Sequence, residues 1–181
     1  MTGKNKKRLT YEEFKARLKK IRLFAMDVDG VLTDDHIFFG PDGLEMKKFH
    51  ISDGLFIVLA MRAGLEVAVV SGRKSEATTT RMKDLGVKYV LQQMLDKRKQ
   101  IAPLLEELGI KHSEVAFIGN EILDIGLARE VGLSIAVADS ASELLDEVDY
   151  VTRAKGGEGA VREVIQAYFD GNGIDPAAHL I

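Results

Sequence analysis

The sequence predicts an α/β fold: a doubly wound, Rossmann-like parallel sheet with helices on both faces, a projecting β-hairpin and no cap domain. Three observations lead there. Short, nearly continuous apolar runs recur at Leu23–Met26, Val67–Val70, Tyr89–Leu91, Val115–Ile118 and Ile135–Val137, the pattern of strands buried on both faces. Helical stretches separate these runs and carry stop signals at Gly64, Gly86, Gly109 and Gly132. Strands that alternate with helices pair in parallel, because each crossover must return along a face of the sheet.

Taken in order, residues 1–8 are basic and without periodicity, and are expected to form a disordered tail. Leu9-Thr10-Tyr11-Glu12-Glu13-Phe14 then starts a helix. Thr10 and Glu13 have capping-box spacing, and Leu9 and Phe14 occupy the hydrophobic-staple positions. Phe14, Leu18 and Ile21 share one face of that helix. After the first strand, about residues 36–50 interrupt the alternation. His36–Phe39, a Gly40-Pro41-Asp42-Gly43 turn and Leu44–Phe49 read as a hairpin. The adjacent Phe38 and Phe39 need cover, from their own domain or from a partner subunit. No linker marks a second domain, so one domain is expected over residues 9–170, followed by a C-terminal tail at 171–181.

Composition narrows the class. The 181 residues are 46% hydrophobic and 29% charged, enough for one substantial core. The absence of cysteine excludes disulfides and thiolate zinc sites. No apolar run approaches a membrane span, and no signal-like segment opens the chain, so the expectation is a cytoplasmic protein without a membrane partner. Residues 1–22 carry nine Lys/Arg against Glu12 and Glu13, a local +7 in a chain of net charge −3, which leaves −10 elsewhere. That basic stretch lacks the aromatic interleaving of single-stranded nucleic-acid binders. It reads as a solvated face, with no nucleic-acid partner expected.

Chemistry concentrates at the predicted strand ends, where open α/β sheets bind ligands. The run Leu23–Met26 ends in Asp27-Val28-Asp29-Gly30. Two carboxylates so close repel each other unless a cation or proton lies between them, which suggests a divalent metal and a carboxylate nucleophile. Ser71-Gly72-Arg73 follows the second strand, where a hydroxyl and glycine-flanked N–H groups suit a phosphoryl oxygen. Lys97 opens a helix one turn before the apolar Ile101. It either reaches the inner edge of the site or stays solvated beside Arg98 and Lys99, and residue type favours the solvated reading. Gly119-Asn120-Glu121 with Asp124 follows the fourth strand. These oxygens either complete a hard-cation site or cap the next helix, with Asn120 at the N-cap.

Taken together, DVDGVLTD (Asp27–Asp34), FHISDGL (Phe49–Leu55), SGRKS (Ser71–Ser75), Asp96-Lys97 and GGEGAVREV (Gly156–Val164) resemble the haloacid dehalogenase superfamily of phosphotransferases. Within it, the set resembles the 3-deoxy-manno-octulosonate 8-phosphate phosphatase subfamily, over about residues 9–169. The resemblance implies a Mg²⁺-dependent phosphatase for a sugar-acid phosphate, with a place in lipopolysaccharide biosynthesis. It makes Asp27 the nucleophile, Asp29 the general acid–base, and Ser71 and Lys97 the holders of phosphoryl oxygens. It assigns metal to Asp27, the Asp29 carbonyl and Asn120, with Glu121 long enough to reach the cation or a metal-bound water; substrate contacts are expected at Thr33, Gly72, Arg73 and His50. It also implies a capless homotetramer assembled through the hairpin.

The chain departs from the subfamily at two places. Asn120-Glu121 stands where Asp-Asp is usual, and Glu158 stands where arginine is usual. The departures leave a second reading open, a weakly active or non-catalytic assembly module of the same fold. A phosphomutase would need a lid segment, and none is visible. The histidines at 36, 112 and 179 read as structural or solvated, with His50, near the hairpin base, set apart from them.

Overall fold

A computed structural model describes residues 6–180. In chain order it contains α1 (Tyr11–Leu18), β1 (Leu23–Met26), β2 (Phe38–Phe39), β3 (Glu45–Met46), α2 (Ile51–Arg62), β4 (Glu66–Val70), α3 (Glu76–Leu85), β5 (Tyr89–Leu91), α4 (Lys97–Leu108), β6 (Val115–Gly119), α5 (Ile125–Ala128), β7 (Leu133–Ala136), α6 (Ser142–Leu145), β8 (Tyr150–Val151) and α7 (Ala160–Asn172). β5, β4, β1, β6, β7 and β8 form one sheet in that order, and every pair in it is parallel. The doubly wound expectation therefore holds. The structure adds β8, which is too short to announce itself as an apolar run. β7 begins at Leu133, two residues before the expected run.

β1 is central and wholly buried. Its side chains alternate between two cores, as successive strand residues must. Phe24 and Met26 join the core beneath α1, α2, α3 and α7. Leu23 and Ala25 join the opposite one, beneath α4, α5 and α6. Chain order reverses at β1, which lies between β4 and β6. That reversal is the switch point where such sheets open a crevice at their carboxyl ends.

The helix start behaves as its spacing requires. Thr10 and Glu13 cap each other reciprocally, and Phe14 stacks on Tyr150 with ring centroids 3.8 Å apart. The hairpin is smaller than expected. Only Phe38–Phe39 pairs with Glu45–Met46, around a 3-10 turn at Pro41–Gly43. Its outer side chains Phe38, Phe39, Leu44 and Met46 are exposed. Of the tail expected at 1–8, residues 1–5 lie outside the described residues, while Lys6 is tied down by a backbone bond to Asp146 and an ion pair to Asp149. At the other end α7 runs on to Asn172, and Arg62 donates to the carbonyls of His179 and Leu180. Most of the segment expected as a C-terminal tail is thereby fastened to α2. Among the described residues, no helix is long and apolar enough to cross a membrane.

Candidate active site

β1, β4 and β6 deliver their carboxyl ends to one cavity of about 190 Å³. Asp27 and Asp29 enter from β1, Ser71, Gly72 and Arg73 from β4, Lys97 from the start of α4, and Asn120 and Glu121 from β6. The predicted constellation is brought together from segments nearly a hundred residues apart. Gly30 makes the turn after Asp29 in the left-handed region, at φ +76°, and a Cβ there would lie 1.9 Å from Asn120 Nδ2. The glycine lets the β6 loop close directly over the β1 loop.

Lys97 is buried rather than solvated. Its Nζ lies 2.7 Å from Asp27 Oδ2 and 2.5 Å from Asp124 Oδ1. Burial works against its charge, but the two carboxylates hold its pKa above the ordinary lysine value. Asp27 receives the Val28 N–H on its other oxygen at 2.7 Å. Burial dominates its titration: desolvation outweighs Lys97 and, with the Asp124 charge, pushes the carboxyl from 3.8 to about 6.

Asp124 is wholly enclosed and does not line the cavity. Its Oδ2 accepts the N–H groups of Asn120 and Glu121, while Oδ1 takes Lys97. It is a brace for the β6 loop and is not available to a cation. Asn120 is likewise not the helix cap. Glu121 caps the next turn through Ile122, and Asn120 Oδ1 is buried without a hydrogen-bond partner. Such an orphaned acceptor calls for a ligand.

A hard cation fits this donor set. Asp27, Asn120 and Glu121 line one cavity, and the Asn120 amide oxygen is buried and unsatisfied; oxygen donors of this kind suit Mg²⁺. Among the described residues no three His, Cys, Asp or Glu converge as a ready-made metal cluster. The donors are instead mixed, because position 120 supplies an amide.

Two predicted substrate contacts are not brought to this cavity. Thr33 is fully buried. Its hydroxyl accepts from Gly30 N and donates to the Val28 carbonyl, so it stiffens the β1 loop from inside. His50 lines a separate cavity of about 550 Å³ with Glu158 and Arg162. Glu158, which stands where the subfamily usually has arginine, lines this second cavity and not the one that holds the aspartates. The neighbouring Gly156 and Gly157 instead pack behind the β1 loop, with Gly157 N bonded to the Val31 carbonyl. Arg73 lines the active cavity, but its guanidinium is engaged by Glu45 at 2.7 Å.

Sequence reasoning missed four participants. Asp35, Leu95 and Leu123 line the cavity. Asp35 holds φ +63°, and its carboxyl is raised first by burial and then by the charges of Asp29 and Glu121. The fourth is Lys47, whose Nζ lies 2.5 Å from Asp29 Oδ1. It is one of two adjacent lysines, a pattern that reads as solvated surface, and no local signal distinguishes it.

Comparisons with known proteins agree with this fold. Residues 90–165 match the haloacid dehalogenase-like hydrolase family. The chain is 42% identical over 149 residues to 3-deoxy-D-manno-octulosonate 8-phosphate phosphatase KdsC of Escherichia coli K12, covering 82% of this chain and 79% of that one. The structure superposes with TM-score 0.85 on the Moraxella catarrhalis 3-deoxy-D-manno-octulosonate 8-phosphate phosphatase in complex with magnesium, phosphate and KDO, at 36% identity over 88% of this chain and 92% of that one. A cobalt-bound phosphatase of Haemophilus influenzae matches with TM-score 0.83 at 36% identity, over 87% and 92% of the two chains.

Proposed function

Because this chain belongs to the haloacid dehalogenase-like hydrolases, and within them to the 3-deoxy-D-manno-octulosonate 8-phosphate phosphatases, we propose that it hydrolyses 3-deoxy-manno-octulosonate 8-phosphate, or a closely related 2-keto-3-deoxy acid phosphate, through an aspartyl-phosphate on Asp27. The enzyme class is phosphoric monoester hydrolase and the cofactor is Mg²⁺. One observation carries the reading: Asp27 lines the cavity, largely buried and paired with Lys97, where a phosphoryl group can enter.

Asp27 attacks phosphorus, and the bond to the sugar oxygen breaks. Asp29 gives that oxygen a proton, then takes one from the water that hydrolyses the acyl phosphate. Ser71 and Lys97 hold phosphoryl oxygens, which is positioning and charge stabilisation. Asp27, Asn120, the Asp29 carbonyl and Glu121 would hold Mg²⁺, whose charge offsets that of the transferring group when it is bound.

Assembly into a homotetramer is part of the same reading. The exposed Phe38, Phe39, Leu44 and Met46 support it, since apolar side chains grouped on a projecting arm mark an interaction face. The chain would act in the cytoplasm. The weakly active reading draws on the amide at position 120 in place of a carboxylate. The deciding experiment is phosphate release from a panel of sugar phosphates with and without Mg²⁺. Release by the native chain, abolished in Asp27→Asn, supports catalysis. No release, or equal release by Asp27→Asn, refutes it.

A further inference from the structure

Lys47 follows β3 at the base of the hairpin, and its side chain is only 1% exposed. Its neighbour Lys48 is 60% exposed and pairs with Asp34 at the surface. The burial of one lysine and not the next shows that the fold places this ammonium deliberately, since an enclosed charge is costly unless it is paired. Its partners are Asp29 Oδ1 at 2.5 Å and Glu45 Oε1 at 3.7 Å.

Glu45 is itself held at both oxygens. Oε1 accepts from Ser75 Oγ at 2.7 Å and Oε2 from Arg73 at 2.7 Å. The hairpin is thus strapped to the loop after β4, the loop that also carries Ser71 and Gly72. Lys47 therefore extends from an anchored base. Among the described residues no other group donates to the Asp29 carboxylate, which sits on a loop and keeps 23% of its side chain exposed. Without Lys47 no other described residue would hold it in one rotamer.

We propose that Lys47 is the positioning residue for Asp29: it fixes Oδ1, so that the second oxygen faces the leaving-group side of the cavity. The inference rests on the phosphatase reading above. It adds that the hairpin base belongs to the catalytic apparatus through Lys47 and Glu45, besides whatever the hairpin tip does in assembly. A carboxylate displaced by about 1 Å loses on the order of 100-fold in rate, and the loss falls on turnover because the phosphoryl contacts are untouched.

The test is Lys47→Met, assayed in Mg²⁺ on two esters. A sugar phosphate expels a poor alkoxide that needs a proton from Asp29. p-Nitrophenyl phosphate expels a stable phenolate that needs almost none. Lys47→Met is expected to lower kcat on the sugar phosphate about 10- to 100-fold with KM changed little. The burst rate of p-nitrophenolate release should stay near that of the native enzyme. In an Asp29→Asn background the substitution should cost nothing further on the sugar phosphate. Equal losses on both esters, an undiminished loss in the Asp29→Asn background, or no loss at all would overturn the proposal. Should Lys47→Met fail to fold, Lys47→Arg carries the same comparison, because its bulkier head keeps the charge but shifts the carboxylate. A native enzyme inert on both esters defeats the phosphatase reading and this inference with it, whereas an active native enzyme with an indifferent Lys47→Met defeats this inference alone.

Discussion

Lys97 and Asp124 form an enclosed ion pair at 2.5 Å, twenty-seven residues apart in sequence. Through it the start of α4 is locked to the loop after β6. The same ammonium reaches Asp27, so one cation serves two carboxylates from two strands. A buried charge left without its partner typically costs 3–5 kcal/mol.

Lys97→Met is therefore expected to lower stability by about 3 kcal/mol or more, because Asp27 and Asp124 then face each other with no counter-charge. Urea unfolding at pH 7 measures it. The loss should shrink toward pH 4, where protonation of a carboxylate relieves the repulsion. A variant as stable as the native chain at pH 7 would show that the pair contributes nothing net.

The raised carboxyl of Asp27 gives stability a pH dependence of known sign. The folded form holds this proton up to about 6, against an ordinary 3.8 in the unfolded chain. Between those values the folded state binds more protons than the unfolded one, so stability falls as pH rises and levels off above about 6. Asp27→Asn removes that slope. In EDTA at pH 8 it should be more stable than the native chain by about 1–3 kcal/mol, although inactive. Thermal melts across pH 4–8 check this, and parallel curves for the two proteins would contradict it.

Asn120→Asp places a charge where the buried, unsatisfied Oδ1 now lies. The Mg²⁺ dissociation constant should fall by about tenfold, judged from the effect of lesser changes around metal sites. Titration calorimetry reads this without any turnover. An unchanged constant would mean that Glu121 already provides the missing charge.

Gly156→Ala should disturb the site from behind. A Cβ there would lie 1.8 Å from the Gly30 carbonyl oxygen, and both partners are backbone. Relief requires the β1 loop to move, at a cost of about 1–3 kcal/mol. Because Gly30 follows Asp29, kcat should drop as well. Equal melting temperature and kcat in variant and native protein would rule out this packing.

Much of the architecture was legible because the signals are local. A strand buried on both faces must be apolar throughout, so β1, β4 and β6 show in any short window. Thr10 and Glu13 cap within one turn, and Asp27 and Asp29 stand beside the run that carries them. Where residue type alone misleads, the signals have the opposite character. Lys97 and Lys47 each sit in a lysine- or arginine-rich stretch that looks solvated, and their burial depends on carboxylates supplied by other elements. Thr33 and His50 belong to motifs of the site, yet one turns inward and the other lines a different cavity. Neither outcome is written in spacing.

By itself the sequence determined the alternation of strands and helices, the acidic strand end and the set of polar groups at neighbouring strand ends, since each follows from the periodicity or chemistry of adjacent residues. Tertiary structure alone decided which charges are enclosed together: Asp124 with Lys97, Lys47 with Asp29, and Asn120 with its amide oxygen left open. Pairing energy depends on distance and on exclusion of water, and both arise only when segments remote in the chain pack against one another.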